Sequence, residues 1–376
     1  MNRPPDFTLQ LRSGDPQLVQ NVVLTGEYGG RTYHESVEIN FSGSKYRRDQ
    51  PMIESFDSSF RYPFPELKSL FERYPQFMRG KREVNSFFED DGYLAYVSAK
   101  SIRDDIQASF RFDVNVWDKK KNQTTSYQVD IPGSEQNHSI SVHDVQVIGS
   151  ELKVLTLNQS RNDAIGFHLY TLSMNDKQTP SDKTLTTVPN GNDDLDTNFQ
   201  WLPSSKEFGS SPITAIYLVE MKMIQKADGS KQREKSGGRL LVYDIQTGEE
   251  IKIRNKEIED FVKGNGSFFF EVEGTAITIL KDAGQTLTAV RYDITAGTTV
   301  SRDISIGPAD GQIRLKDGHI YKLFPAEMES RMPPKLVVYE AASGSIKYEG
   351  SIGVKEPFRD TSDLLSKLAV YNMELR

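Results

Sequence analysis

The sequence predicts an all-β repeat protein, and three observations carry that prediction. The first is a hairpin signature that returns five times. An aromatic residue closes a β-rich run and a glycine or asparagine follows five positions later, at Trp117–Asn122, Tyr170–Asn175, Tyr243–Gly248, Tyr292–Gly297 and Tyr339–Gly344. A tight hairpin between twisted strands commonly needs a positive φ, which glycine adopts freely and asparagine tolerates. The second observation is the interval: the aromatic markers stand 53, 73, 49 and 47 residues apart. Those periods suit supersecondary units with insertions of varied length. The third is that the apolar residues fall in short alternating runs bounded by turn residues, the pattern of half-buried strands.

From the N-terminus, residues 1–60 read as a β segment, a partial blade. FTLQLR (7–12), QNVVLTGEY (20–28) and TYHESVEINF (32–41) are its strands, with Gly29-Gly30 turning between the last two. Residues 61–85 read as a short helix and linker. PELKSLFERYPQFM (65–78) places Leu67, Leu70 and Phe71 on one face, and Pro75 stops or bends the helix. Residues 86–355 read as five blades. The last is the tidiest: GQIRLKDG, HIYKLFPAE, KLVVYEA and SIKYEGSI are four strands joined by local turns, the meander of one propeller blade. The same order recurs over 267–306, 143–188 and 86–131.

The middle copy is irregular. It has ITAIYLVEMKMI (213–224), a charged insertion, RLLVYDI (239–245) and EEIKI (249–253), and its first strand is expected within 199–210. Residues 356–376 form a C-terminal tail whose second half, KLAVYNMEL, suits a strand. A ring left open would expose sheet edges, so strands from both termini are expected to complete one composite closure blade. The fold class is therefore a β-propeller of four-stranded antiparallel blades, six in number within a range of five to seven. The aromatic markers are expected to pack between neighbouring blades.

Residues 86–352 resemble bacterial β-propellers of the broad WD40-like and quinoprotein-like group. The resemblance rests on the four-strand meander and on pieces such as LLVYDIQTGEEIKI. It identifies no functional family. True WD repeats carry a Gly-His and a Trp-Asp pair per blade, and here only Trp117-Asp118 resembles the latter. Relatives of this kind include membrane-anchored or secreted bacterial modules that bind proteins or other ligands, and some enzymes.

Charge and composition exclude several classes. The net charge is −7, with lysine and arginine scattered, so nucleic acid is not an expected partner. The chain has no cysteine, which removes disulfides, thiolate nucleophiles and thiolate metal sites and fits an extracytoplasmic protein. No stretch is apolar for long enough to span a bilayer. The start, MNRPPDFTLQL, lacks the regions of a secretion signal. Two readings remain, a cytoplasmic protein or an ectodomain at the cell surface separated from an upstream anchor, and the domain pattern favours the second.

Compact chemistry is scarce. None of His34, His138, His143, His168 and His319 falls in a ligand spacing, and no nucleophile elbow, phosphate loop or dinucleotide fingerprint is present. No catalytic residue and no cofactor is assigned. The one calcium-like stretch is NGNDDLDTN (190–198), where Asp193, Asp194 and Asp196 supply hard oxygen donors. Its spacing does not match the EF-hand loop, and a solvated acidic turn is the simpler reading.

Two segments stand out as binding elements. Phe199 and Trp201 lie in a polar surround and either anchor a partner or cover the side of the irregular blade. Lys226 and Arg233 belong to a basic-leaning insertion that either meets an acidic protein or envelope polymer or is a plain solvated hairpin. The expected function is an extracytoplasmic binding or interaction module rather than an enzyme. The alternatives are an enzyme acting on a glycan or envelope polymer through carboxylates at the propeller axis, and a structural domain of an envelope assembly.

Overall fold

The computed structural model describes all residues except 1–3, 31–32, 50–66, 104–107, 189–194, 203–207, 227, 265, 308–310, 327–331, 356–360 and 376. The chain opens with β1 (Phe7–Gly14), β2 (Val22–Gly30), β3 (Tyr33–Asn40) and β4 (Gly43–Tyr46). A short helix, α1 (Lys68–Arg73), precedes β5 (Phe87–Glu89), β6 (Tyr93–Arg103), β7 (Ala108–Asp118) and β8 (Gln123–Asp130). Next come β9 (Asn137–Ile148), β10 (Glu151–Ser160), β11 (Ile165–Ser173) and β12 (Ser181–Val188). The irregular unit has β13 (Leu195–Trp201), β14 (Ile213–Gln225) and β15 (Lys231–Asp244), followed by α2 (Lys256–Lys263). Then follow β16 (Ser267–Glu273), β17 (Ala276–Asp282), β18 (Thr286–Asp293) and β19 (Thr298–Ser305). The last stretch holds β20 (Gln312–Lys316), β21 (His319–Phe324), β22 (Lys335–Glu340), β23 (Ile346–Val354), α3 (Thr361–Ser366) and β24 (Leu368–Leu375).

These strands make six antiparallel sheets, the blades of a propeller. Blade 1 has the order β24-β2-β3-β4, so its first strand comes from the C-terminal end of the chain. Val22 pairs with Leu375 and Tyr28 with Leu368. Blades 2, 3 and 5 are the simple meanders β5–β8, β9–β12 and β16–β19. Blade 6 runs β20–β23 and gains β1 as a fifth, outer strand, with Phe7 opposite Val354. The N-terminal segment is thus divided between two blades. First strands of successive blades touch one another, β5 with β9, β16 with β20 and β20 with β24. They surround the axis, and the last strands face outward.

Blade 4 departs from the sequence reading in two ways. Its first strand begins at Leu195, upstream of the expected 199–210. The charged insertion is no loop: β14 and β15 extend through it as one long hairpin, with Gln225 opposite Lys231. Among the described residues blade 4 has three strands, and EEIKI contributes the bridge between Tyr243 and Glu250. Helix α2 then packs on β15. Asn255 caps its start by accepting from the Ile258 N–H, leaving Ile258 and Val262 buried against blades 4 and 5.

Alternation along each strand builds the seams between blades. Phe112, Val114 and Val116 of blade 2 meet Val145, Val154 and Tyr170 of blade 3. Phe167 and Val188 of blade 3 meet Ile216 and Leu218 of blade 4. Tyr217 of blade 4 meets Phe270 and Ile279 of blade 5. Leu280 and Ile304 of blade 5 meet Ile320 and Val337 of blade 6. Leu336 and Tyr348 of blade 6 meet Leu24, Ile39 and Met373 of blade 1. Five seams are therefore apolar. Among the described residues, no apolar cluster joins blade 1 to blade 2. On that side blade 2 packs against α1 and the turns after it, through Leu67, Leu70, Met78, Phe87, Leu94 and Tyr96.

The hairpin signature serves both roles expected of it, turn and seam packing, in three copies, and one of the two in each of the others. Asn122, Gly248, Gly297 and Gly344 all take positive φ, between 50° and 72°. Asn175 does not, because β11 and β12 are joined by a longer connection in which Ser173 Oγ accepts from the Asn175 N–H. Tyr170, Tyr243, Tyr292 and Tyr339 are buried in apolar seams. Trp117 alone packs on the side of α1.

Candidate functional site

A cavity of about 550 Å³ lies where α1 and its following turns meet blade 2. Small-molecule sites commonly fall between about 300 and 1,000 Å³. Its lining combines the rings of Tyr74, Phe77 and Trp117 with Arg73, Lys81 and Asn115. Asn122 and Thr124 stand at its rim with exposed side chains. The placement follows from β7. Phe112, Val114 and Val116 point into the seam with blade 3, so Asp113, Asn115 and Trp117 must point the other way. Tyr74, directly after α1, meets Trp117 edge-on with ring centroids 5.3 Å apart.

Glu89, at the end of β5, holds this wall together. Its carboxylate accepts two bonds from the Arg73 guanidinium, at 2.9 and 2.8 Å, one from Tyr74 Oη at 2.6 Å and one from Lys119 Nζ at 2.9 Å. Burial pushes the Glu89 carboxyl up, but the bonds from Tyr74, Lys119 and Arg73 outweigh it and hold the group below the usual glutamate range. Arg73 and Lys119 also lie against the Tyr74 ring, 5.1 and 5.0 Å from its centroid. One carboxylate thus ties Arg73 of the short helix α1, Tyr74 just after it and Lys119 after β7 into one wall.

Lys81 occupies the other side of the cavity. Its Nζ donates to the Phe77 carbonyl at 2.6 Å and lies 4.5 Å from the Phe77 ring centroid and 5.7 Å from that of Tyr96. Among the described residues it has no ion-pair partner. Asp113 acts on it from a longer range and is itself paired with Lys100. Burial lowers the Lys81 pKa, more than Asp113 raises it. The site can present flat apolar faces and positive charge to the same ligand.

The second polar group of interest is Asp144, on the axis-lining strand β9. A bulge at His143 turns both residues from the seam with blade 2 toward blade 4. His143 stacks on Trp201, centroids 5.0 Å apart and planes 14° from parallel, and burial lowers its pKa. Asp144 is partly wetted yet crowded by protein, and burial raises its carboxyl to about 6 against the bond it accepts from Gln146. Gln146 Nε2 also donates to the Gly209 carbonyl at 3.2 Å, and its Oε1 accepts from the Ser211 N–H at 3.0 Å. Phe208, in the same segment, takes φ 59° and offers its carbonyl to the Glu89 N–H at 2.7 Å. Residues 208–211 therefore strap the first strands of blades 2 and 3 to blade 4.

The residues singled out in the sequence are dispersed. Phe199 and Trp201 lie in the seam between blades 3 and 4, each against Phe167, at 5.1 and 5.6 Å between centroids. Lys226 and Arg233 are exposed on the far hairpin of blade 4, where Lys226 forms a turn with Ser230. Asp193 and Asp194 lie outside the described residues, and Asp196 sits on β13, its side chain likewise undescribed. Among the described residues no three potential ligands gather as a metal centre, and no helix is long and apolar enough to cross a membrane.

No family model matches the chain, and no curated protein matches it. Solved structures with similar folds were found. TolB from Acinetobacter baumannii is 12% identical, over 68% of this chain and 68% of its own, with a TM-score of 0.25. A prolyl endopeptidase is 8% identical, over 91% of this chain and 50% of its own, with a TM-score of 0.32. A hypothetical selenium-binding protein from Sulfolobus tokodaii is 7% identical, over 96% of both chains, with a TM-score of 0.27. At such scores they carry no inference about activity.

Proposed function

We propose that this chain is a binding module acting outside the cytoplasm, whose ligand is a glycan of the cell envelope seated between α1 and blade 2. The observation that carries this is the cavity itself. Three aromatic rings and two cations line a hollow beside the apolar cluster that joins α1 to blade 2, on the side where no apolar cluster reaches blade 1 among the described residues. Aromatic faces accept the C–H faces of sugar rings, and flanking amides and cations fix orientation. The absence of cysteine in 376 residues suits an oxidising compartment. A glycan array of acidic and neutral polysaccharides tests the reading. The wild-type protein should be retained, and Trp117→Ala should lose retention while melting within a few degrees of wild type. Retention of neither protein, or of both equally, would sink it.

A second reading, an enzyme acting on such a polymer, is favoured by one observation. Asp144 has a carboxyl raised to about 6 beside His143 on an axis-lining strand, and general acids are commonly tuned this way. Turnover of a polysaccharide that disappears in Asp144→Asn would raise this reading above the first.

A further inference from the structure

We infer that the ligand of the blade 2 cavity carries a carboxylate on a sugar ring, a uronic acid unit of a polymer, with its ring against Trp117, Tyr74 and Phe77 and its carboxylate on Lys81. This rests on the binding reading above and narrows it.

The inference comes from asking which cationic donors in the lining are already engaged. Glu89 holds both heads of the Arg73 fork, the Ser69 carbonyl accepts from its Nε, and Lys119, outside the lining, shares the same carboxylate. Asn115 is likewise occupied, donating to Asp113 and accepting from Ser126. Lys81 remains. It is half-buried, its Nζ donates to the neutral Phe77 carbonyl, and no carboxylate lies within ion-pair range among the described residues. A half-enclosed ammonium without a counter-ion is costly unless a ligand supplies one. Its depressed pKa reports the same cost.

The match is to one monovalent anion. A phosphate or sulfate cluster would be better served by a second uncommitted cation or an unoccupied guanidinium fork, and the lining offers neither. The rings set the other half of the specificity. Phe77 lies directly beneath Lys81 Nζ, while Tyr74 and Trp117 meet edge-on across the wall. A pyranose laid against these faces would place a carboxylate on ring carbon within reach of the ammonium. Asn122 and Thr124 at the rim are then available to the sugar hydroxyls.

The experiment uses Trp117 as its reporter. The chain has two tryptophans, so Trp201→Phe leaves Trp117 as the sole one. In that background, quenching of fluorescence is titrated with oligomers of galacturonate, glucuronate and mannuronate, each as free acid and as methyl ester. Esterification keeps the ring and removes the charge. The expected result is that at least one free acid binds about tenfold or more tighter than its ester. Lys81→Gln should erase that difference by weakening the acid alone, and Lys81→Arg should restore most of it. Thermal melts of each variant separate lost binding from lost folding. Equal affinity for acid and ester, or an acid preference that survives Lys81→Gln, overturns the inference and leaves the binding reading intact. No quenching by any oligomer, charged or esterified, counts against the binding reading itself.

Discussion

Blade 2 has two faces, and they are packed by different means. One face, through Phe112, Val114 and Val116, enters an apolar seam with blade 3, where Phe112 meets the Tyr170 ring edge-on at 5.2 Å. The other face, through Tyr96, Asn115 and Trp117, meets a short helix and its turns, with Glu89 at the centre of a charged network. Both faces come from the same alternating strands. The difference lies in what stands opposite: a sheet can fill the space, and a six-residue helix cannot. A repeat protein gains stability where neighbours match and gains room for a ligand where one neighbour is replaced.

The contrast can be broken most forcefully on the apolar side. Phe112 is fully buried, so Phe112→Ala should cost about 3–5 kcal/mol by urea unfolding and leave glycan retention unchanged under native conditions. A cost below about 1 kcal/mol would mean that this seam is not a tight core. On the other side, Glu89→Gln should cost about 2 kcal/mol at neutral pH, because Arg73, Lys119 and Tyr74 lose a charged acceptor.

That contribution has a definite pH sign. The folded Glu89 pKa lies below the unfolded value of about 4.3. Its stabilisation is complete above that value and is lost as pH falls through the folded pKa. Wild type and Glu89→Gln should therefore converge in stability on acidification below about pH 4, as read from thermal midpoints. A gap that persists at low pH would remove Glu89 as its source.

Asp144 sharpens the comparison with the opposite sign. It is a carboxyl set beside Leu155 in a mostly apolar seam. Its folded pKa of about 6 exceeds the unfolded value, so stability is highest when both forms are protonated. It declines as pH rises from about 4 to 6, and the full penalty stands above that. Asp144→Asn should relieve about 1–2 kcal/mol at pH 7–8, after allowance for partial wetting, and nothing at pH 4. Equal stability of the two proteins at pH 8 would show that water reaches the group.

Much of the architecture was legible because it depends on local pattern. The meanders of 86–131, 143–188 and 267–306, the last blade and the pairing of KLAVYNMEL with an N-terminal strand all follow from alternation, turn residues and the need to hide edges. Two things were hidden by their dependence on distance. The chain cannot announce that β1 leaves blade 1 for the outside of blade 6, since both edges accept an alternating strand. The insertion at 225–238 looks like a loop because its charges are exposed, yet backbone pairing between Ile224 and Gln232 needs no apolar side chain.

The site was hidden for a related reason. Trp117 carried the same signature as four seam tyrosines, and nothing local marks it as the one facing a helix. Arg73 and Lys81 are ordinary surface letters until the fold brings them to one cavity, and Glu89 until it meets Arg73 there. Trp201 shows the reverse: its rarity and polar surround allowed either a partner anchor or a cover for the irregular blade, and it lies against His143 and Phe167.

The composite first blade also sets a timetable. Val22 finds Leu375 and Leu24 finds Met373 only after more than 300 intervening residues have been made. During synthesis the β2 edge must wait, with Val22 and Leu24 uncovered, while the later blades emerge and stack. Blades 2 to 5 can assemble as they appear, but the ring receives its last inner strand only when residues 368–375 have left the ribosome. Nascent chains stalled before that point should hold an open arc and an adhesive strand, the form most exposed to chaperones and to pairing with the wrong partner.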